Sequence, residues 1–302
     1  MLSPGALPGW AALGVVAITL LGLEGAVRAG YHPPGELLPK VEKARASLDP
    51  EKPDLLVFGT CIAYQALDHD VFDNGFGAAA RVHDLSAPGA FAMDWYLTLR
   101  NVLDPALVDM VIVLFTPGDL SVPSITWQAQ TYALMDPTSI REVADWSCPD
   151  TTCRTELYLR KFSLLYRNRA YLGNHLWTAV GAREGTGPLL DQTPYTPNPN
   201  AASKAPWHFV GRMVELARER GTVIEFLELP LNPEAEPDKW TTHEEVRVQT
   251  EAKLAALGVT VRRLQTPPAD EYEDLVHFTK TGRKHMAEQV LAVLADRPEL
   301  HR

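Results

Sequence analysis

Short apolar runs alternate with segments of helical periodicity over most of this chain of 302 residues. The run Asp54–Phe58 lies between Pro53 and Gly59 and is typical of a strand buried on both faces. Further strands are predicted at Arg81–Leu85, Asp109–Phe115, Thr222–Leu229 and Val259–Leu264. Helices are predicted at Val41–Ser47, Ala90–Leu103, Trp207–Arg220, Thr242–Leu257 and Thr281–Ala295. This alternation indicates an α/β fold with a parallel sheet that helices cover on both faces.

The chain divides into segments of different character. Residues 29–53 are rich in proline and are interpreted as a linker, and residues 54–302 as the main domain. Residues 120–206 interrupt the alternation and are predicted to form an inserted cap over the strand ends, with a helix around Thr155–Val180. The insert carries basic residues that either meet an anionic or carbohydrate substrate or form a solvated helix face. These residues are Arg160, Lys161, Arg167 and Arg169.

The N-terminal segment is unusual because Leu7–Leu23 contains no charged residue. As a helix it would be about 25 Å long, at the short end of what crosses a bilayer. Glu24 and Arg28 follow at i,i+4 spacing and can pair at the end of the helix. We expect residues 1–28 to form a transmembrane anchor. A cleaved signal peptide is the alternative, and a buried soluble helix is disfavoured because the segment has no polar face.

The charges and the cysteines predict opposite orientations. Arg28, Lys40 and Lys43 follow the apolar segment, so the positive-inside rule leaves the remainder in the cytoplasm. Cys148 and Cys153 lie in a short Pro/Asp/Thr segment and can close a small disulfide, which persists only in an oxidising compartment. We favour export, with the main domain in the periplasm or at the cell surface.

The overall charge argues against one class of function, the general nucleic-acid-binding proteins. Lys and Arg total 28 and Asp and Glu total 38, which gives a net charge of −10. A general nucleic-acid-binding protein needs a basic surface to meet phosphates, so this class is disfavoured. The histidines outside the candidate site show no ligand spacing, and the cysteine pair has no further partners. No metal site and no cofactor are predicted.

The first candidate for chemistry is Cys61, which follows the first predicted strand in Gly59-Thr60-Cys61. Sites in parallel α/β sheets lie at the carboxyl ends of the strands. A residue at the following helix N-terminus is close to backbone N–H groups that favour an anion, which is the condition for a thiolate nucleophile. The alternative is a small buried apolar residue, as most free cysteines are.

Loops after the second and third predicted strands supply further candidates. Gly89 in Ser86-Ala-Pro-Gly89 can offer a backbone N–H to an oxyanion or simply form a turn. Gly118 and Asp119 follow the third strand in Thr116-Pro-Gly-Asp119, and a helix-capping role is the ordinary explanation of such an Asp.

The last candidate pair is Asp274 and His277, directly before the last predicted helix. An Asp three residues before a His can accept a hydrogen bond from one ring nitrogen and leave the other nitrogen as a base. A D-x-x-H pair also occurs often by chance. Its position at the end of an alternating sheet gives it more weight here.

The order of these four loops resembles the SGNH (GDSL-type) hydrolase superfamily. Its motifs are a G-x-S nucleophile block, a glycine block, a G-x-N-D block and D-x-x-H before the last helix. The matching residues are Gly59-Thr60-Cys61, Gly89, Thr116-Pro-Gly118-Asp119 and Asp274/His277. The apolar helix ending in Glu24-x-x-x-Arg28, and Ser163-Leu-Leu-Tyr-Arg167 in the insert, are similar to a membrane-anchored branch that acts on envelope polysaccharides.

The resemblance implies a flavodoxin-like strand order 2-1-3-4-5 and a Cys61–His277–Asp274 triad, with oxyanion or substrate contacts at Gly89, Gly118 and Asp119. Two residues depart from the family: Cys61 replaces the serine, and Gly118 replaces an oxyanion-binding asparagine. We therefore expect an acyl-ester hydrolase or acyltransferase that acts on a cell-envelope glycan or a related ester. The alternative is a non-catalytic binding or scaffold protein of the same fold.

Overall fold

The computed structural model describes residues 9–30, 37–77, 80–103, 105–120, 129–167 and 204–300. The chain forms two compact units. The smaller unit contains Met1–Pro34 and Asp150–Tyr195, and the larger unit contains Gly35–Pro149 and Thr196–Arg302.

All named strands of the larger unit belong to one sheet. They are β1 (Asp54–Gly59), β2 (Arg81–Asp84), β3 (Met110–Phe115), β4 (Val223–Glu228) and β5 (Val261–Arg263). Their spatial order is β2-β1-β3-β4-β5, and each neighbouring pair is parallel. The predicted α/β fold with strand order 2-1-3-4-5 is therefore confirmed.

Two helices precede β1, and further helices follow the strands along the chain. They are α1 (Gly9–Arg28), α2 (Leu37–Ser47), α3 (Cys61–Ala66), α4 (His69–Phe76), α5 (Ala92–Asn101), α6 (Ala129–Leu134), α7 (Pro137–Ser147), α8 (Thr151–Phe162), α9 (Leu164–Arg167), α10 (Ala205–Arg220), α11 (Trp240–Ala256) and α12 (Lys280–Leu294). Of these, α1, α8 and α9 belong to the smaller unit.

The core of the larger unit is built around β1 and β3, whose residues are all buried. Such strands are covered on both faces, which explains their almost uninterrupted apolar sequences. On one face they pack with Phe72 of α4, with Phe278 just before α12, and with Met286 of α12. The right-handed connections between parallel strands place α5 and α10 on the other face, where the Tyr96 and Phe209 rings lie 5.8 Å apart.

Part of the predicted insert packs on α5 and α10. The Glu142 carboxylate of α7 accepts hydrogen bonds from the Tyr96 hydroxyl at 3.0 Å and from Arg100 at 2.6 Å, and it lies 2.9 Å from Nε2 of His208. Residues 121–128 and 168–203 lie outside the described residues. The placement of residues 120–206 as a cap over the strand ends therefore stays a prediction.

The smaller unit joins α1 to α8 and α9 through Glu24 and Arg28. The Glu24 carboxylate accepts hydrogen bonds from Ser163 Oγ at 2.7 Å and from the backbone N–H of Leu164 at 2.9 Å. Arg28 donates to the Phe162 carbonyl at 2.7 Å and pairs with Glu24 at 2.9 Å. The Glu-x-x-x-Arg and Ser-Leu-Leu-Tyr-Arg patterns of the sequence therefore meet in space.

One prediction about the insert needs correction. Thr155–Val180 was predicted as one helix, but α8 ends at Phe162 and a short α9 begins at Leu164, because Ser163 serves α9 as a capping residue. Residues 168–180 lie outside the described part. None of the described helices is both long enough and apolar enough to cross a bilayer, and residues 1–8 of the predicted anchor lie outside the described residues.

The predicted disulfide between Cys148 and Cys153 is present. Cys148 is the C-cap of α7, and Cys153 lies in the first turn of α8, where its backbone N–H donates to Asp150 at 2.8 Å.

Candidate active site

The candidate loops lie at one edge of the sheet. Cys61 follows β1, Gly89 follows β2, and Gly118 and Asp119 follow β3. Because all strands are parallel, their carboxyl ends meet at the same edge. The parallel topology therefore brings the candidate residues after β1, β2 and β3 to one edge of the sheet.

Cys61 is the first residue of α3 and is partly exposed. Thr60 is the N-cap of this helix, and its hydroxyl accepts a hydrogen bond from the Ile62 N–H at 3.3 Å. Gly59 allows the close approach of strand and helix, because a Cβ at this position would overlap the Cβ of Ala63. With the other two cysteines bonded, Cys61 carries the free thiol of the chain.

The loop at residues 86–89 packs against the end of β1. The Ala87 N–H donates to the Gly59 carbonyl at 3.2 Å. Gly89 has a φ of +70°, a conformation that other residues adopt at a cost. The glycine loop is therefore held beside the turn that carries Cys61.

Asp119 connects the loop after β3 to the start of α3. Its carboxylate accepts hydrogen bonds from the Thr116 N–H at 2.7 Å, the Thr116 hydroxyl at 3.0 Å and the Thr60 hydroxyl at 3.3 Å. Burial raises the pKa of Asp119, and the hydrogen bonds from Thr116 and Thr60 oppose that rise. These contacts make Asp119 a scaffold for the turn that carries Cys61, and its contact with a substrate stays a prediction.

Gly118 lies beside open space. A Cβ at this position would meet no atom of the described residues within 4 Å, and Gly118 does not have a positive φ. The preceding Pro117 is fixed through its carbonyl, which accepts a hydrogen bond from the Thr250 hydroxyl at 3.2 Å. The site therefore has room for a side chain at position 118 that the sequence does not provide.

Asp274 and His277 form the closest pair of candidate catalytic groups. Oδ2 of Asp274 lies 2.7 Å from Nδ1 of His277, and Oδ1 accepts the backbone N–H groups of Val276 and His277 at 2.8 Å. Desolvation raises the pKa of Asp274, but the hydrogen bond to His277 and those from the two backbone N–H groups lower it to about 2. An ionised Asp274 accepts a hydrogen bond from the Nδ1–H group, so that Nε2 of a neutral His277 carries the lone pair.

Three residues that the sequence analysis did not propose support this site. Asn232, after β4, donates through its backbone N–H to the Leu275 carbonyl at 2.9 Å and through its amide to the Asp274 carbonyl at 3.4 Å. Lys40 donates to the carbonyl of Ser86 at 2.7 Å. Thr60 is the third. The preference for threonine at helix starts could have identified Thr60, whereas no spacing in the sequence connects Asn232 or Lys40 to the site.

The pairing of Cys61 with His277 stays a prediction. Within the described residues, no hydrogen bond joins the Cys61 thiol to the His277 imidazole. Catalytic hydrogen bonds are often longer before substrate binds than in the complex. Among the described residues, no group of His, Cys, Asp and Glu is arranged to hold a metal ion.

Comparisons with known proteins add little beyond the architecture. No family model and no curated protein matches the sequence. Among solved structures, the chain is similar to a lipase/acylhydrolase from Enterococcus faecalis, with 14% identity, a TM-score of 0.42, and coverage of 81% of this chain and 96% of that chain. It is also similar to a GDSL-like lipase from Bacteroides thetaiotaomicron, with 10% identity, a TM-score of 0.43, and coverage of 85% and 96%. Similarity at this level carries no argument about the reaction.

Proposed function

We propose that the chain is an acyl-ester hydrolase or acyltransferase in which Cys61 is the nucleophile, His277 the base and Asp274 the residue that orients the base. The observation that carries this proposal is the 2.7 Å contact between Asp274 Oδ2 and His277 Nδ1. A carboxylate with a pKa of about 2 stays ionised at neutral pH, and it therefore holds the tautomer in which Nε2 can accept a proton.

The proposed reaction has two steps. Nε2 of His277 takes the thiol proton while Sγ of Cys61 bonds to the acyl carbon, and the ester C–O bond then breaks as His277 returns that proton to the leaving alcohol. In the second step, water or a second acceptor hydroxyl gives its proton to His277 and attacks the thioester. The C–S bond breaks, and the proton on His277 restores the thiol.

The oxyanion of each step needs donors at the carboxyl edge of the sheet. We assign this role to the backbone N–H groups at Cys61 and Gly89, which the contact between Ala87 and Gly59 holds on neighbouring loops. Gly118 has no side-chain donor, and loss of one such donor lowers rates by roughly 10²–10³-fold in other enzymes. We therefore expect slower turnover than a complete oxyanion hole supports.

The substrate and compartment belong to the same proposal. The disulfide between Cys148 and Cys153 favours an oxidising compartment, outside the cytoplasmic membrane. The resemblance of the four loops to the SGNH hydrolases favours an ester on a cell-envelope glycan. A thioester on Cys61 reacts readily with a second acceptor, so the proposal includes acyl transfer as well as hydrolysis.

The direct test is alkylation of Cys61 with iodoacetamide, because the other cysteines are bonded and the probe reports on one thiol. If His277 takes the thiol proton, Cys61 in the wild type should react about tenfold faster near neutral pH than Cys61 in His277→Gln. Cys61→Ala should show no labelling and no hydrolysis of p-nitrophenyl acetate. Equal alkylation rates in the wild type and His277→Gln would support the non-catalytic binding protein instead.

A gain-of-function variant offers a second test. Position 118 has room for a side chain, so Gly118→Asn should restore an oxyanion donor and raise ester turnover by up to roughly 10²-fold. Gly118→Ala is the matched control, since it adds a Cβ without a donor. Equal turnover in the two variants would argue against an oxyanion at this loop.

A further inference from the structure

A cavity of about 340 Å³ lies at the outer edge of β2. We call it the β2 cavity, and its polar lining consists of Lys40, Lys43, Tyr64, His69, His83 and Asp84. Its volume is in the range of cavities that bind small molecules or parts of larger ones. Nothing in the mechanism above uses it.

One wall of the β2 cavity is held rigidly. Nζ of Lys40 lies 2.8 Å from Oδ2 of Asp84 and 4.4 Å from the centre of the Tyr64 ring. The same Asp84 accepts the backbone N–H of Ser86 at 2.9 Å. The charge of Asp84 is therefore balanced by Lys40, and neither group is left as an unpaired charge toward a ligand.

The remaining charge of the β2 cavity is positive. Lys43 forms no ion pair with any residue that the structure describes. His69 lies 3.9 Å from Asp84 and is 45% exposed, so its ring can be reached from solvent. Because Lys40 and Asp84 balance each other, Lys43 leaves the cavity with a positive charge that attracts an anion by Coulomb interaction and by a charge-assisted hydrogen bond.

The β2 cavity is also close to the candidate nucleophile along the chain. Tyr64 lies three residues after Cys61 on α3, a rise of about 5 Å along the helix axis. Asp84 and Leu85 lead directly into the glycine loop at residues 86–89. A molecule bound in the cavity therefore lies beside α3, whose first residue is Cys61, and beside the loop that carries Gly89.

We propose that the β2 cavity binds an oxyanion group, a carboxylate or a phosphate, with Lys43 as its main charged contact and Tyr64 and His69 as further donors. The role of the β2 cavity as the binding site for an anionic part of the substrate rests on the proposed function. Binding of an anion to the cavity does not depend on that function. The site would select substrates that carry the negative group at a fixed distance from the reacting ester.

Amide NMR titrations of the full-length chain with inorganic phosphate and, in parallel, with glucuronate test this site. We expect saturable shifts in the amides of Lys43, Tyr64 and Asp84. Lys43→Gln should raise the Kd about tenfold, since one charge-assisted contact is lost. Lys284→Gln is the matched control, because Lys284 is an exposed lysine on α12 that does not line the cavity, and it should leave the Kd unchanged.

The outcomes separate the two ligand chemistries and the two proposals. Saturation by phosphate alone identifies a phosphate site, and saturation by glucuronate alone identifies a carboxylate site. The inference is overturned if neither anion saturates, or if Lys43→Gln and Lys284→Gln bind equally. The titration repeated on Cys61→Ala should give the wild-type Kd. If Cys61 proves unreactive, the proposed reaction is wrong, but the anion-binding site is unaffected.

Discussion

Asp119 and Asp274 are both carboxylates in the candidate site, but their surroundings act on them in opposite directions. Asp119 is 8% exposed and accepts hydrogen bonds only from neutral donors of Thr116 and Thr60. The side chain of Asp274 is 55% exposed and meets an imidazole. Burial raises the pKa of Asp119, whereas hydrogen bonds to His277 and two backbone N–H groups lower that of Asp274 to about 2.

The difference shows how one residue type serves two purposes. Asp119 accepts hydrogen bonds from Thr60 and Thr116, which lie on two separate segments, so its removal should affect folding more than chemistry. The negative charge of Asp274 is exposed and contributes little to folding, yet it sets which nitrogen of His277 can act as a base. Stability and activity should therefore respond to different carboxylates in the same site.

The largest expected effect is on turnover. Asp274→Asn removes the charge that keeps the proton on Nδ1 of His277, so ester turnover should fall by roughly 10²–10⁴-fold. The free energy of unfolding should change by less than about 1 kcal/mol, because the side chain is exposed. Steady-state hydrolysis of p-nitrophenyl acetate and urea unfolding of the same preparation measure the two quantities. Turnover within twofold of the wild type would show that Asp274 does not orient a base.

The second effect is on stability. Asp119→Ala leaves the buried N–H and hydroxyl of Thr116 without an acceptor, so the free energy of unfolding should fall by about 2–4 kcal/mol in urea unfolding. Asp119→Asn keeps one oxygen acceptor and should lose about half as much. A loss below about 0.5 kcal/mol in Asp119→Ala would mean that Thr60 and Thr116 find other partners, and that Asp119 is not the scaffold we describe.

The smallest effect is on the pH dependence of stability, where the two residues should have opposite signs. The pKa of Asp274 is below its ordinary value of 3.8. Its contribution is therefore complete above that value and is lost as the pH falls toward about 2. The pKa of Asp119 is raised, so the native state holds the extra proton, and that contribution is lost as the pH rises through the raised pKa.

Urea unfolding of the wild type, Asp274→Asn and Asp119→Asn between about pH 2 and pH 6 measures both contributions. The difference between the wild type and Asp274→Asn should shrink on acidification. The difference between the wild type and Asp119→Asn should shrink as the pH rises. Parallel curves for all three proteins would contradict the assigned environments.

Much of the fold was predictable because strands buried on both faces have a distinctive sequence. The apolar run before Gly59 and the run before Thr116 were placed to within one residue of β1 and β3. The elements that were not predicted are short or partly polar, such as α4 and α7. Capping residues such as Asp68 and Asp136 start these helices locally.

The candidate site was predictable to a different degree. Asp274 and His277 are three residues apart, so a single turn brings them together, and the sequence analysis identified both. Asn232 and Lys40 reach the site from distant parts of the chain. No periodicity connects them to Gly89 or Asp274, so they were missed.

The sequence by itself determined the order of strands and helices, the four loops of the candidate site and the pair of cysteines that bond, because each depends on residues that are close along the chain. Only the tertiary structure decided that Asp119 accepts a hydrogen bond from Thr60 while Asp274 lies against His277. It also decided that a cationic cavity lies beside α3. The physical reason is that a pKa, a hydrogen bond or a cavity depends on which distant atoms exclude water from a group, and only the folded chain brings those atoms together.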